Sequence, residues 1–123
     1  MTQNDSCCTD QVKTLIMACS GGSNVGQISN SAMVEMDKQG VGNAYCLAGV
    51  GAELSGFLGS SKAARVILID GCPVGCGKKI LEKHAIEPTR YFVVSELAIE
   101  KRHAFDDLDA ETKVALDQII CNV

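Results

Sequence analysis

Seven cysteines stand in a chain of 123 residues, and four of them fall at or just beyond the ends of expected strands. Cys19 comes directly after Leu15, Ile16, Met17 and Ala18, and Cys46 lies in the stretch Asn43 to Leu47. Cys72 and Cys76 belong to VILIDGCPVGCGKK, residues 66 to 79. Thiolates are soft ligands that suit zinc or an iron–sulfur cluster, and they are the nucleophiles of redox and sulfur-transfer chemistry. The first residues, MTQNDSCCTDQVK, have neither the basic nor the apolar region of an export signal. An odd cysteine count without such a signal fits poorly with a disulfide framework and points to a reducing, cytoplasmic setting. There the cysteines are explained by metal binding, thiol chemistry or burial.

The elements that must position them follow from the local pattern. Val66 to Ile69 is a short apolar run bounded by Gly and Pro, which reads as a buried parallel strand. It delivers Asp70, Cys72 and Cys76 to its carboxyl end, where open α/β sheets place their ligands. Pro73 is expected as the first residue of the next helix, just after Cys72. A helical turn would set Cys72 and Cys76 on one face, whereas Gly75 and Gly77 weaken the start and allow Cys76 a loop position. This helix is expected to run to His84, a histidine that caps its carboxyl end rather than serving as a ligand.

The first apolar run predicts another strand, followed by the glycine-rich CSGGSNVG, residues 19 to 26. The dinucleotide signature G-x-G-x-x-G and the P-loop Lys-Ser/Thr pair are both missing. Position 25 is Val, where a cysteine phosphatase loop wants Arg, so phosphate chemistry has weak support. Asn24 is expected to cap a helix carrying Val25, Ile28, Ala32 and Met36, which Gly40 ends. Met33 and Met36 read as packing residues rather than copper ligands. The second strand is expected over Asn43 to Leu47, and a helix then carries Leu54, Phe57 and Leu58. Tyr91 to Val94 predicts a fourth strand, and His103 falls in the solvated stretch EKRHAFDD. A last helix from about Asp109 should bury Leu116, Ile119 and Ile120, with Cys121 packed into the core. Residues 1–13 read as a flexible arm that carries Cys7 and Cys8, and residues 14–123 as a single α/β domain.

Strand then helix, repeated with a fourth strand, predicts a three-layer α/β fold with a mostly parallel four-stranded sheet and helices on both faces. A flavodoxin-like strand order of 2-1-3-4 makes the first three strand tips neighbours, about 4.8 Å apart. Cys19, Cys46 and Cys72 then share one edge, with Cys76 a turn later. Loops of this kind can bring four sulfurs to about 2.3 Å from one ion, as tetrahedral zinc requires. A thiol-dependent redox or sulfur-transfer enzyme using the same cysteines is one alternative, although no adjacent histidine supplies a base. An iron–sulfur protein is another. A net charge of −4, no Trp and an aromatic content of 4% argue against a nucleic-acid partner. No apolar run approaches the roughly eighteen residues needed to cross a bilayer, so no membrane partner is expected. No protein partner is indicated.

From about Lys13 to Cys121 the chain resembles the DGC-domain family. The likeness is carried by Asp70-Gly71-Cys72, by CSG and SNVGQ within residues 19 to 27, and by Cys46 ahead of GVG. The resemblance implies a four-cysteine zinc site at Cys19, Cys46, Cys72 and Cys76, and no particular reaction. Four thiolates around Zn²⁺ leave a net charge of about −2, which N–H groups and cations must offset. Lys78 and Lys79 are the nearest cations in sequence. Asp70 is expected to stay off the ion and to orient the glycine-rich turns by hydrogen bonding. A site filled by four sulfurs has no water to activate, which disfavours hydrolysis.

Overall fold

The computed structural model describes residues 12–123. Cys7, Cys8 and nearly all of the expected arm lie outside the described residues. Four strands form one sheet in the order β2-β1-β3-β4. They are β1 (Thr14–Ala18), β2 (Asn43–Ala44), β3 (Arg65–Asp70) and β4 (Arg90–Val93). Every pairing is parallel. The α-helices among the described residues are α1 (Asn24–Lys38), α2 (Leu47–Gly51), α3 (Ser55–Ala63), α4 (Cys76–Lys83) and α5 (Leu108–Ile120).

Both faces of the central strands are covered, which is why β1 and β3 read as unbroken apolar runs instead of alternating ones. Ile16, Ile67 and Ile69 face a core built with α1 and α5, through Val25, Ile28, Ala32, Met36, Ala115 and Ile119. Leu15, Met17, Val66 and Leu68 face the other core, with Val50 of α2 and Leu81 of α4. The strand order and the three layers are those expected from the sequence, and Met36 is fully buried packing.

Several local expectations need correction. The α1 cap is Ser23, whose side chain accepts the Gly26 N–H, while Asn24 is already helical and turns its side chain to a distant loop. Strand β2 spans only Asn43 and Ala44; the Tyr45 N–H still donates to the Ile16 carbonyl of β1 at 2.8 Å, and Cys46 then caps α2. The helix expected around Leu54 is broken in two: Glu53 adopts φ 63°, and Leu54 becomes the cap of α3. Pro73 lies in a turn ahead of the helix, and α4 begins at Cys76 behind a left-handed Gly75. Cys121 is exposed at the end of α5, since that helix buries Thr112, Ala115 and Ile119 and leaves Leu116 and Ile120 only partly covered.

Candidate functional site

The carboxyl ends of β1, β2 and β3 open onto one edge, and Asp70 is the charged group buried there. Its side chain is fully covered. Oδ1 accepts the Gly77 N–H at 2.9 Å, and Oδ2 accepts the Lys78 N–H at 3.0 Å and the Tyr91 hydroxyl at 2.8 Å. The carboxylate thus satisfies amides in the first turn of α4 that have no partner within the helix. Burial, and then the hydrogen bond to Asp70, pushes the Tyr91 pKa above the ordinary phenol value. Tyr91 is therefore a donor to this carboxylate.

Gly71 is required by close approach. A Cβ there would stand 2.8 Å from the Gly26 nitrogen, in the first turn of α1. This approach lets β3 end against the glycine-rich turn that follows β1. The Cys19 N–H donates to the Ile69 carbonyl at 3.0 Å, continuing the β1–β3 ladder one residue further. The Cys19 carbonyl accepts from the buried Ser29 hydroxyl at 2.5 Å. Cys19 itself is half-buried, and burial raises its thiol pKa, opposed by the nearby backbone amides of Gly71 and Gly21.

Cys72 is half-buried in the turn after β3. Lys101 Nζ lies 3.5 Å from its sulfur. That lysine comes from the loop between β4 and α5, and Asn24 holds the loop in place. Asn24 Nδ2 donates to the Glu100 carbonyl at 2.9 Å, while its Oδ1 accepts the Arg102 N–H at 2.7 Å. The Asn24 N–H donates to the Arg102 carbonyl at 3.0 Å. One buried asparagine therefore brackets Lys101 on both sides. Arg102 then bonds to Glu111 on α5 at 2.6 Å, which ties down the rest of the loop.

Cys46 and Cys76 are both exposed, and each stands at the start of a helix: Cys46 caps α2, and Cys76 opens α4. The two helices touch directly after these residues. A Cβ on Gly77 would stand 3.2 Å from Leu47 Cδ2 and 2.7 Å from Asp70 Oδ1. Glycine is needed there for both neighbours to approach.

The four cysteines occupy one edge without meeting at a point. Among the described residues no three His, Cys, Asp or Glu side chains are gathered closely enough to hold a metal ion. The donor set is soft sulfur, and two of the four thiols are on exposed side chains with rotameric freedom. It fits a thiophilic ion in chemistry, and ligation would require Cys46 and Cys76 to turn inward.

The model of the DGC domain matches residues 15–119. The chain belongs to the DGC-domain family. It is 36% identical over 98 residues to the anaerobic and virulence modulator AnvM of Pseudomonas aeruginosa, covering 79% of this chain and 75% of that protein. No solved structure matches it. The tripeptide for which the DGC domain is named has a separable part for each residue here. Asp70 ties down α4, Gly71 admits the backbone of α1, and Cys72 meets Lys101.

The cations nearest in sequence are placed otherwise. Lys78 Nζ lies 5.4 Å from the centre of the Tyr91 ring, and Lys79 is exposed. Lys101 is the cation at a thiol, and nothing in its sequence surroundings signals this. His84 follows the last turn of α4, where capping by a histidine was expected, and its Nε2 lies 3.6 Å from Glu53. His103 is exposed on the loop, 3.3 Å from the Gly22 carbonyl. No helix among the described residues is long and apolar enough to cross a membrane.

Proposed function

We propose that this DGC domain is a cytoplasmic metal-binding protein, in which Cys19, Cys46, Cys72 and Cys76 hold one Zn²⁺ at the carboxyl edge of the sheet. The observation that carries the proposal is the delivery of four thiols to one edge by elements whose mutual positions are fixed by buried contacts. The Cys19 N–H extends the β1–β3 ladder to the Ile69 carbonyl, three residues before Cys72, and Leu47 packs at Gly77, the residues that directly follow Cys46 and Cys76. A scaffold of this kind has its own core, so the ion is not needed to hold the sheet together.

The surrounding groups suit a charged thiolate site. The Gly71 and Gly21 amides favour the Cys19 thiolate, and the Lys101 ammonium sits beside Cys72. Asp70 spends both oxygens on α4 and Tyr91, which fixes the helix that starts with Cys76. A zinc ion with four sulfur ligands would supply a closed, redox-inert centre with no site for water. Burial raises the Cys19 pKa, so an ion bound there would have to displace the thiol proton.

Cobalt substitution tests the proposal. Co²⁺ added to the metal-free protein should give the intense visible bands of a tetrahedral thiolate complex, and Zn²⁺ should bleach them. Serine at any of the four positions should weaken or abolish the bands. Octahedral cobalt spectra, or bands indifferent to all four substitutions, would reject the assignment.

A further inference from the structure

Two features near the far ends of α2 and α4 have no part in the site described above, and both are costly. Glu53 is a non-glycine residue at φ 63°, a left-handed conformation that most side chains avoid. His84 places Nε2 out of contact with solvent, where it makes no hydrogen bond among the described residues. The two meet: Glu53 Oε2 lies 3.6 Å from His84 Nε2 and 3.0 Å from Lys83 Nζ. A carboxylate at a helix carboxyl end is opposed by the helix dipole, so these two side chains must supply its attraction to α4.

The contacts between the two helices are in register along their whole length. Leu47 packs at Gly77, Gly51 packs at Ile80, and Glu53 meets Lys83 and His84. Each contact pairs a residue of the α2 segment with one 29 to 31 positions later, so the helices run side by side in the same direction. Cys46 and Cys76 directly precede Leu47 and Gly77, so the two cysteines stand at neighbouring helix starts.

We propose that Glu53, with Lys83 and His84, is a positioning clamp that fixes the register of α2 on α4 and so holds Cys46 beside Cys76. The five residues of α2 are too few to be stable alone, and this helix makes no strand-like ladder with its neighbours. Val50 anchors its middle in the core, and the clamp holds the residues that follow its end. The consequence for metal binding rests on the function proposed above, whereas the register itself does not. Glu53, Lys83 and His84 are positioning residues and make no contact with the ion.

The test uses full-length chains that keep only Cys46 and Cys76, with serine at the other cysteines, labelled on both thiols with a nitroxide. Electron spin resonance should show strong dipolar broadening from two close labels. Glu53→Gln, which keeps the shape and removes the charge, and Glu53→Ala should each lose much of that broadening. A control chain keeping only Cys76 and Cys121, in which α2 carries no label, should give the same spectrum with or without the Glu53 change. Reversing the pair as Glu53→Lys with Lys83→Glu should restore the broadening that Glu53→Lys alone removes. Absent broadening in the parent, an unchanged spectrum in both Glu53 variants, or equal changes in the control would overturn the clamp. Zinc affinity in the chain with all its cysteines is read separately. If Glu53→Gln loosens the labels but leaves zinc affinity unchanged, the clamp stands and Cys46 is not a ligand.

Discussion

Asp70 and Gly77 are fitted to each other: the Gly77 N–H donates to Asp70 Oδ1 at 2.9 Å, and a Cβ on Gly77 would stand 2.7 Å from the same oxygen. The buried carboxylate reaches the helix only because residue 77 has no side chain. Gly77→Ala should therefore destabilise the fold by about 1–3 kcal/mol through overpacking. Asp70→Asn should cost about as much, since an amide offers one acceptor oxygen where two amides and a hydroxyl need partners. Urea unfolding of both variants checks this. A loss well under 1 kcal/mol in both would mean that the helix is not held through Asp70.

Cys19 is shielded in a way that the exposed thiols are not. In metal-free protein, iodoacetamide should modify Cys19 at least several-fold more slowly than the exposed Cys121 at neutral pH. Its rate should go on rising with pH beyond the ordinary thiol value of about 8.5, because burial holds the neutral form. The sign for stability follows. The folded pKa lies above the unfolded one, so nothing is lost below the ordinary value, and stability falls as pH rises past it. Peptide mapping of alkylated protein over a pH series measures the rate.

Lys101 and Asn24 should act on metal affinity together. Lys101→Ala removes the cation beside Cys72, and zinc affinity should fall several-fold, more at low salt than at high. Asn24→Ala should lower the affinity by a similar factor and also cost about 1–3 kcal/mol, because the Arg102 N–H and Glu100 carbonyl lose their partner. Zinc competition with a chelating dye, together with urea unfolding, separates the two effects. Equal zinc affinity in Lys101→Ala and the parent would remove the lysine from the site.

Much of this edge was legible in the sequence, and the physical reason differs from residue to residue. The order of strands and the placement of Cys19 and Cys72 came from apolar runs that end abruptly, a pattern produced when both faces of a strand are buried. Pro73 misled because its preference for a first helical turn lost to Gly75, whose left-handed conformation moved the start of α4 to Cys76. Asn24 looked like a cap because Asn commonly caps, yet Ser23 performs that role and frees the amide to reach residues 76 and 78 positions away. Lys101 was illegible for the same reason: its place depends on a contact 29 positions along the chain that no periodicity encodes. Cys121 was expected in the core because the residues before it are apolar, but the buried face of α5 passes through Ala115 and Ile119 and turns away before the end.

The loop that carries Lys101 should loosen in acid. Arg102, hydrogen-bonded to Glu111, holds that carboxyl below the usual carboxylate range. A depressed folded pKa gives stability that is present above the ordinary Glu value of about 4.3 and is lost as pH falls through the folded one. Glu111→Gln should therefore lower Tm at pH 7, and the difference from the parent should shrink steadily below about pH 4. Thermal unfolding of both proteins from neutral to acid pH follows this directly. A difference that stays constant with pH would assign the effect to shape instead of charge.

The most direct test of the metal site is a count of metal and thiols on tag-free protein purified without oxygen. The account predicts about one zinc per chain, with the thiols of Cys19, Cys46, Cys72 and Cys76 protected until a chelator removes the ion. Serine at each of these positions should release it. Protein without metal and with all seven thiols reactive, or brown protein holding iron and sulfide, would contradict the zinc assignment.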